Sequence, residues 1–228
     1  MNMFLTLTDD TLLEGIKTLS RIDADLARVY REFGPPPLWQ REPGFPTLVY
    51  IILEQQVSLA SARAAYQKLN QAIQPLIPQT FLTLNDQQLK AIGFSRQKMG
   101  YCRGLARMIL EEELNLDSID ILDDHSAREK LMSIKGIGRW TADIYLLMAL
   151  LRADIWPAGD LALITGIQEL KGLQNRPSSE EVKQIAKTWR PWRSVAARMI
   201  WLYYLNRRNG DKQLTRIAVK CANKMEKL

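Results

Sequence analysis

The chain has 228 residues, 46% of them hydrophobic and 25% charged, with a formal net charge of +6. That length suffices for one large core or two smaller lobes, and no apolar stretch reaches the roughly 18 residues of a membrane span. The N-terminal MNMFLTLTDDTLLEG lacks a signal peptide's basic flank and cleavage site, and Cys102 and Cys221 lie too far apart to suggest a disulfide framework, zinc site or iron–sulfur cluster. The expectation is a soluble, intracellular protein.

In chain order, residues 1–33 carry a largely helical pattern and end at FGPPPLWQREPGFP, a connector because consecutive prolines forbid helix. From Pro46 onward apolar residues recur at spacings of three and four: Leu48, Ile51 and Ile52, then Leu59, Ala62, Tyr66 and Leu69. Ser58 and Ser95 precede helical stretches as N-caps, and SSEEV at 178–182 is a third start signal. LKAIGFSRQKMGYCRGLARMIL (89–110) faintly echoes LMSIKGIGRWTADIYLLMALL (131–151) in its helix, turn, helix order. No β-alternation competes, and the pattern predicts an all-α protein of about ten short helices.

Charge is unevenly distributed. Residues 171–228 carry 14 Lys and Arg against 4 Asp and Glu, a net of +10, leaving the rest of the chain at −4. Such a basic end suits a phosphate-facing surface or a merely solvated face. Arg190 and Arg193 in RPWRS could contact phosphate or pack against tryptophans, and the tail from Arg207 to Lys227 could add DNA affinity or solubility.

The most informative stretch is IKGIGRWTA. A helix starting at about Arg139 leaves its first N–H groups without intrahelical partners, and glycines at 136 and 138 remove the side chains that would keep a ligand away. The turn is then a phosphate seat, or an ordinary αα-hairpin whose glycines only permit positive φ. Twenty-two residues after Gly138, WPAGDLAL supplies Asp160 just before an apolar helix.

IKGIGRWTA and WPAGDLAL, taken with LVYIILEQQVSLASARAAYQKL, IGFSRQKMGYCRGLA and TWRPWRSVAARMIWLYY, resemble the helix-hairpin-helix DNA glycosylase superfamily. Within it the chain is similar to the alkylated-base branch, the 3-methyladenine DNA glycosylase II type. The resemblance covers roughly residues 43–206. It implies two helical lobes with a cleft between them: a central lobe at 46–151 carrying the hairpin, and a second built from 1–45 and 152–228 carrying the catalytic carboxylate.

It also implies residue roles. Asp160 would be the catalytic carboxylate, stabilising the oxocarbenium-like sugar and orienting or deprotonating water; as a residue it also reads as a helix N-cap. Gly136, Gly138 and Thr141 would hold the DNA backbone, with no metal site and no cofactor beyond a monovalent cation on hairpin carbonyls. Trp140, Trp201 and Ile144 would line the base pocket, where aromatic faces favour a cationic alkylated purine. Gln56 would be the wedge that fills the gap left by the flipped base. The lyase branch carries a lysine at the position matching Trp140, so a monofunctional glycosylase is expected, acting as a monomer on double-stranded DNA with damaged bases.

Two positions depart from the pattern: Gly159 replaces a second acidic residue, and Ile144 replaces an aromatic found in some relatives. The rival readings are a non-catalytic helix-hairpin-helix DNA-binding module and a glycosylase for uncharged lesions such as hypoxanthine, which would need protonation of the leaving base. The single histidine, His125, lies in the polar stretch before the hairpin.

Overall fold

A computed structural model describes residues 5–208; the basic tail beyond Arg208 and Cys221 lie outside the described residues. The all-α expectation holds: thirteen helices and no sheet are present among the described residues, with one isolated antiparallel bridge, Thr6 to Arg152. More helices appear than periodicity suggests because the shortest have too few turns to show a repeat. The fold divides into two compact units, one of residues 5–40 with 151–208, the other Arg41–Leu150.

The first unit begins with α1 (Asp9–Ile22) and α2 (Ala24–Phe33). Asp23 ends one and caps the other, its carboxylate accepting from the amides of Asp25 and Leu26. After the second unit the chain returns as α11 (Leu161–Leu170), α12 (Ser179–Lys187) and α13 (Arg193–Arg208), whose positions 194–203 are all buried. Such all-round burial marks a helix at the centre of its unit. Two glycines let neighbours approach it: a Cβ at Gly166 would lie 2.5 Å from Ile200, and one at Gly15 would lie 2.8 Å from Trp192 and Val195.

The second unit holds α3 (Phe45–Glu54), α4 (Leu59–Ala72), α5 (Pro78–Thr83), α6 (Asp86–Ile92), α7 (Arg96–Leu110), α8 (Asp117–Asp120), α9 (Asp124–Met132) and α10 (Arg139–Met148). Its central helix is α3, apolar almost throughout and packed against α4, α7 and α10. Phe45, at the head of α3, starts an aromatic run through Phe81 to Phe94, and a bidentate Arg41–Glu54 pair at 2.9 and 2.7 Å satisfies the buried carboxylate at the helix's other end. Ser58, Ser95 and Ser178 are N-caps as expected. Leu59 departs from its periodicity: it opens α4 and is 65% exposed.

Candidate functional site

In the first unit, the turn before α11 builds the carboxylate site. The Asp160 amide donates to the Pro157 carbonyl at 3.2 Å, and Gly159 takes φ 82° with open space around it. That left-handed conformation favours glycine, a backbone reason for the departure from an acidic residue. Asp160 is the N-cap of α11, and its Oδ1 accepts from the Leu163 amide at 2.9 Å and from the Trp201 indole Nε1 at 3.2 Å. An anion held at a helix N-terminus is stabilised by the helix dipole.

Trp201, 8% exposed, is therefore both packed and engaged with the carboxylate. A second ring joins it. Trp39, in the proline-rich connector, meets Trp201 edge to face, centroids 6.3 Å apart and planes at 71°. Trp39 holds φ 48°, a conformation that costs a bulky residue on the order of 1–3 kcal/mol and persists only where its surroundings enforce it. One such constraint is Arg198, fully buried on α13, which donates from Nε to the carbonyl of Leu38 at 2.9 Å and from Nη1 to that of Ser194 at 3.1 Å. Burial pushes this guanidinium down to about 9.

In the second unit, α9 and α10 are the two helices of the hairpin. Ile134 and Ile137 are buried, and the Ile137 amide donates to the Ile134 carbonyl at 3.0 Å. Gly136 has φ 94°, and a Cβ there would fall 2.2 Å from the Tyr101 ring, so both backbone and packing require glycine. Gly138 differs. Its φ is −87°, nothing lies within 4 Å of where its Cβ would be, and it starts α10 with no side-chain cap bond. Nothing within the fold demands a bare backbone there, whereas an external ligand approaching the first turn would.

The hairpin is braced by Asp143, fully buried on α10, which accepts from Arg128 Nε of α9 at 2.5 Å and lies 3.8 Å from Arg139 Nε. Arg128 also donates to the Asp124 carbonyl at 3.2 Å.

Thr141 faces inward from α10. Its side chain is buried at 2% exposure, with Oγ1 accepting from Gln55 Nε2 at 3.0 Å, so its hydroxyl serves the interior and only its main-chain amide is left for a phosphate role. Trp140 is half-buried and Ile144 buried, both on α10. Gln56 is exposed in the turn between α3 and α4, at φ 56°, flanked by exposed Val57 and Leu59. Arg193 binds the Asp154 carboxylate at 2.7 and 2.9 Å, so it is a packing residue, while Arg190 is 61% exposed. His125 is exposed on α9, and among the described residues no His, Cys, Asp and Glu cluster could hold a metal.

The structure thus gathers Asp160 with Trp201, and Gly136, Thr141 and the turn of Gln56 in the second unit. Trp39, Arg198 and Gln55 escaped the sequence reading. A lone tryptophan in a proline-rich loop carries no periodic signal, and Gln55 lies 81 and 86 residues from its partners.

Residues 49–191 match the family model described as HhH-GPD superfamily base excision DNA repair protein. The chain belongs to that superfamily. Among HhH-GPD relatives it is 28% identical over 192 residues to the alkylbase DNA glycosidase-like protein mag2 of Schizosaccharomyces pombe, covering 81% of this chain and 90% of that one. With YfjP of Bacillus subtilis it shares 27% over 184 residues, 77% of this chain but 64% of that protein, so it spans just under two thirds of that relative. The crystal structure of a Bacillus halodurans DNA-3-methyladenine glycosidase has the same fold, with a TM-score of 0.70 at 27% identity over 83% of this chain and 88% of the other.

Proposed function

We propose that this HhH-GPD protein is a monofunctional DNA glycosylase, hydrolysing the N-glycosidic bond of cationic alkylated purines such as 3-methyladenine and 7-methylguanine in flipped-out nucleotides and leaving an abasic site. The observation that carries the reading is Asp160, fixed by two N–H donors at the head of α11 beside an aromatic corner. Breaking the bond puts positive charge on the deoxyribose, and an oriented carboxylate stabilises that charge without reorganising. It also orients or deprotonates the attacking water.

The pair Trp39 and Trp201 suits the leaving base. A planar cation stacked on one ring and bordered by the other gains up to about 2 kcal/mol when desolvated, which a neutral base does not. An alkylated purine already carries the charge that weakens its glycosidic bond, so no general acid is needed. Trp140 and Ile144, on α10, are the remaining pocket candidates. Gly138 and the amides that follow would seat a phosphate, and Gln56 would enter the stack.

The carbonyls of Ile134 and Gly136 already accept from the Ile137 amide and Gln55, and each keeps a second lone pair, so the donor chemistry fits a hard monovalent cation that would help neutralise the phosphate. Trp140, in place of an amine at the start of α10, supports hydrolysis rather than Schiff-base chemistry.

The test is single-turnover base release from matched duplexes carrying 7-methylguanine, 3-methyladenine, hypoxanthine or 8-oxoguanine, with the strand analysed before and after alkaline cleavage. The reading requires release of alkylated purines with an intact abasic strand. Binding without release from any duplex would instead support a DNA-binding module.

A further inference from the structure

The turn proposed to enter the stack is short, with residues 55–58 between α3 and α4, yet it is held from outside itself. Lys98 of α7 donates from Nζ to the Leu53 carbonyl at 2.7 Å, fixing the end of α3. Gln55, the C-cap of α3, turns inward, and its Nε2 donates to the Gly136 carbonyl at 2.9 Å and to Thr141 Oγ1 at 3.0 Å. Both amide protons are thus committed, one to the hairpin turn and one to the first turn of α10. Tyr101 closes the same corner, its ring against Gly136 and its hydroxyl accepting from Gln97 Nε2 at 2.5 Å.

We propose that Gln55 is a positioning residue that joins the wedge turn to the hairpin, so that seizing a phosphate at the hairpin sets the place and depth of Gln56 in the duplex. This rests on the functional reading above. Gln56 is one peptide bond from Gln55 and is exposed, so any shift of the 136–141 segment reaches it through the two amide hydrogen bonds and a single covalent step. The spacing between phosphate and base stack is fixed by the nucleic acid, and a protein that fixes the matching spacing in advance avoids ordering a loose side chain during flipping. Packing alone would leave the turn free to slide; two directional bonds do not.

The experiment uses Gln55→Met, which keeps length and volume but has no donor, and Thr141→Val, which removes one of the two acceptors. Each is made alone and with Gln56→Ala. Binding to undamaged duplex reads the hairpin grip, and 2-aminopurine fluorescence opposite an abasic site reads entry into the stack. Single-turnover release of 7-methylguanine reads chemistry.

Gln55→Met should hold undamaged-duplex affinity within about 2-fold while the fluorescence change and the release rate each fall about 10-fold. Thr141→Val should fall between Gln55→Met and wild type, and Gln55→Met with Gln56→Ala should be no worse than Gln56→Ala alone. Additive losses in the double variant would overturn the proposal, as would a loss of undamaged-duplex binding in proportion to the fluorescence loss. Should Gln55→Met fail to fold, Thr141→Val with its Gln56→Ala partner decides by the same criteria. Absence of base release by wild type would overturn the glycosylase reading, whereas the fluorescence cycle on abasic duplex judges Gln55 independently.

Discussion

Trp201 donates its indole N–H to the Asp160 carboxylate at 3.2 Å, joining the most buried helix of its unit to the head of α11. The bond fixes which way the carboxylate points, and the ring that makes it is also the wall proposed for the base.

Trp201→Phe separates these two roles. An aromatic ring remains, the donor is lost and a small void opens at a site only 8% exposed, so the melting temperature should fall by a few degrees. Single-turnover base release, losing a hydrogen bond to a charged group that contributes about 1.5 kcal/mol or more, should fall roughly tenfold. Trp39→Ala should act differently, slowing release of 7-methylguanine more than that of hypoxanthine, because both bases lose stacking but only the cation also loses its attraction to the ring quadrupole. Rates for both lesions with both variants check this.

Gly136→Ala and Gly138→Ala should fail in opposite ways. At Gly136 the new Cβ would fall 2.2 Å from Tyr101 at φ 94°, and overpacking with backbone strain should cost about 3 kcal/mol of stability. At Gly138 the space is open, and the loss should stay within about 1 kcal/mol, while duplex affinity drops on the order of tenfold. Denaturant melts and DNA binding on the same preparations distinguish them.

Asp23 supplies a pH dependence. Burial pushes its carboxyl up, but hydrogen bonds from Trp189 and Lys171 and the adjacent lysine charge win, holding it below the usual carboxylate value of 3.8. A carboxyl depressed in the folded state contributes stability that is fully present above its unfolded pKa and lost as pH falls through the folded one. Asp23→Asn should therefore be less stable than wild type at pH 7, and the difference should shrink as pH drops below about 4. Urea melts of both proteins across that range measure it.

The helical fold was legible because apolar spacing and serine caps are local signals, and the N-cap at Asp160 because an aspartate directly precedes an apolar helical stretch. Leu59 misled: it fits the periodicity of its helix but opens α4 and is exposed. Thr141 was read with the glycines because it is close to them in sequence, yet its hydroxyl is claimed by Gln55 from 86 residues away. Trp39 depends on a left-handed backbone held through the carbonyl of Leu38 by a buried arginine 160 residues on from that leucine, and no pattern in the connector encodes that contact.

The most direct measurement is single-turnover release of 7-methylguanine by wild type and Asp160→Asn, with abasic-duplex affinity and melting temperature taken alongside. Asparagine caps a helix as well as aspartate does, so α11 should stay folded and DNA should still bind. If Asp160 is the catalytic carboxylate, release falls at least about 100-fold with binding and stability kept. Release at the wild-type rate by Asp160→Asn would contradict that role.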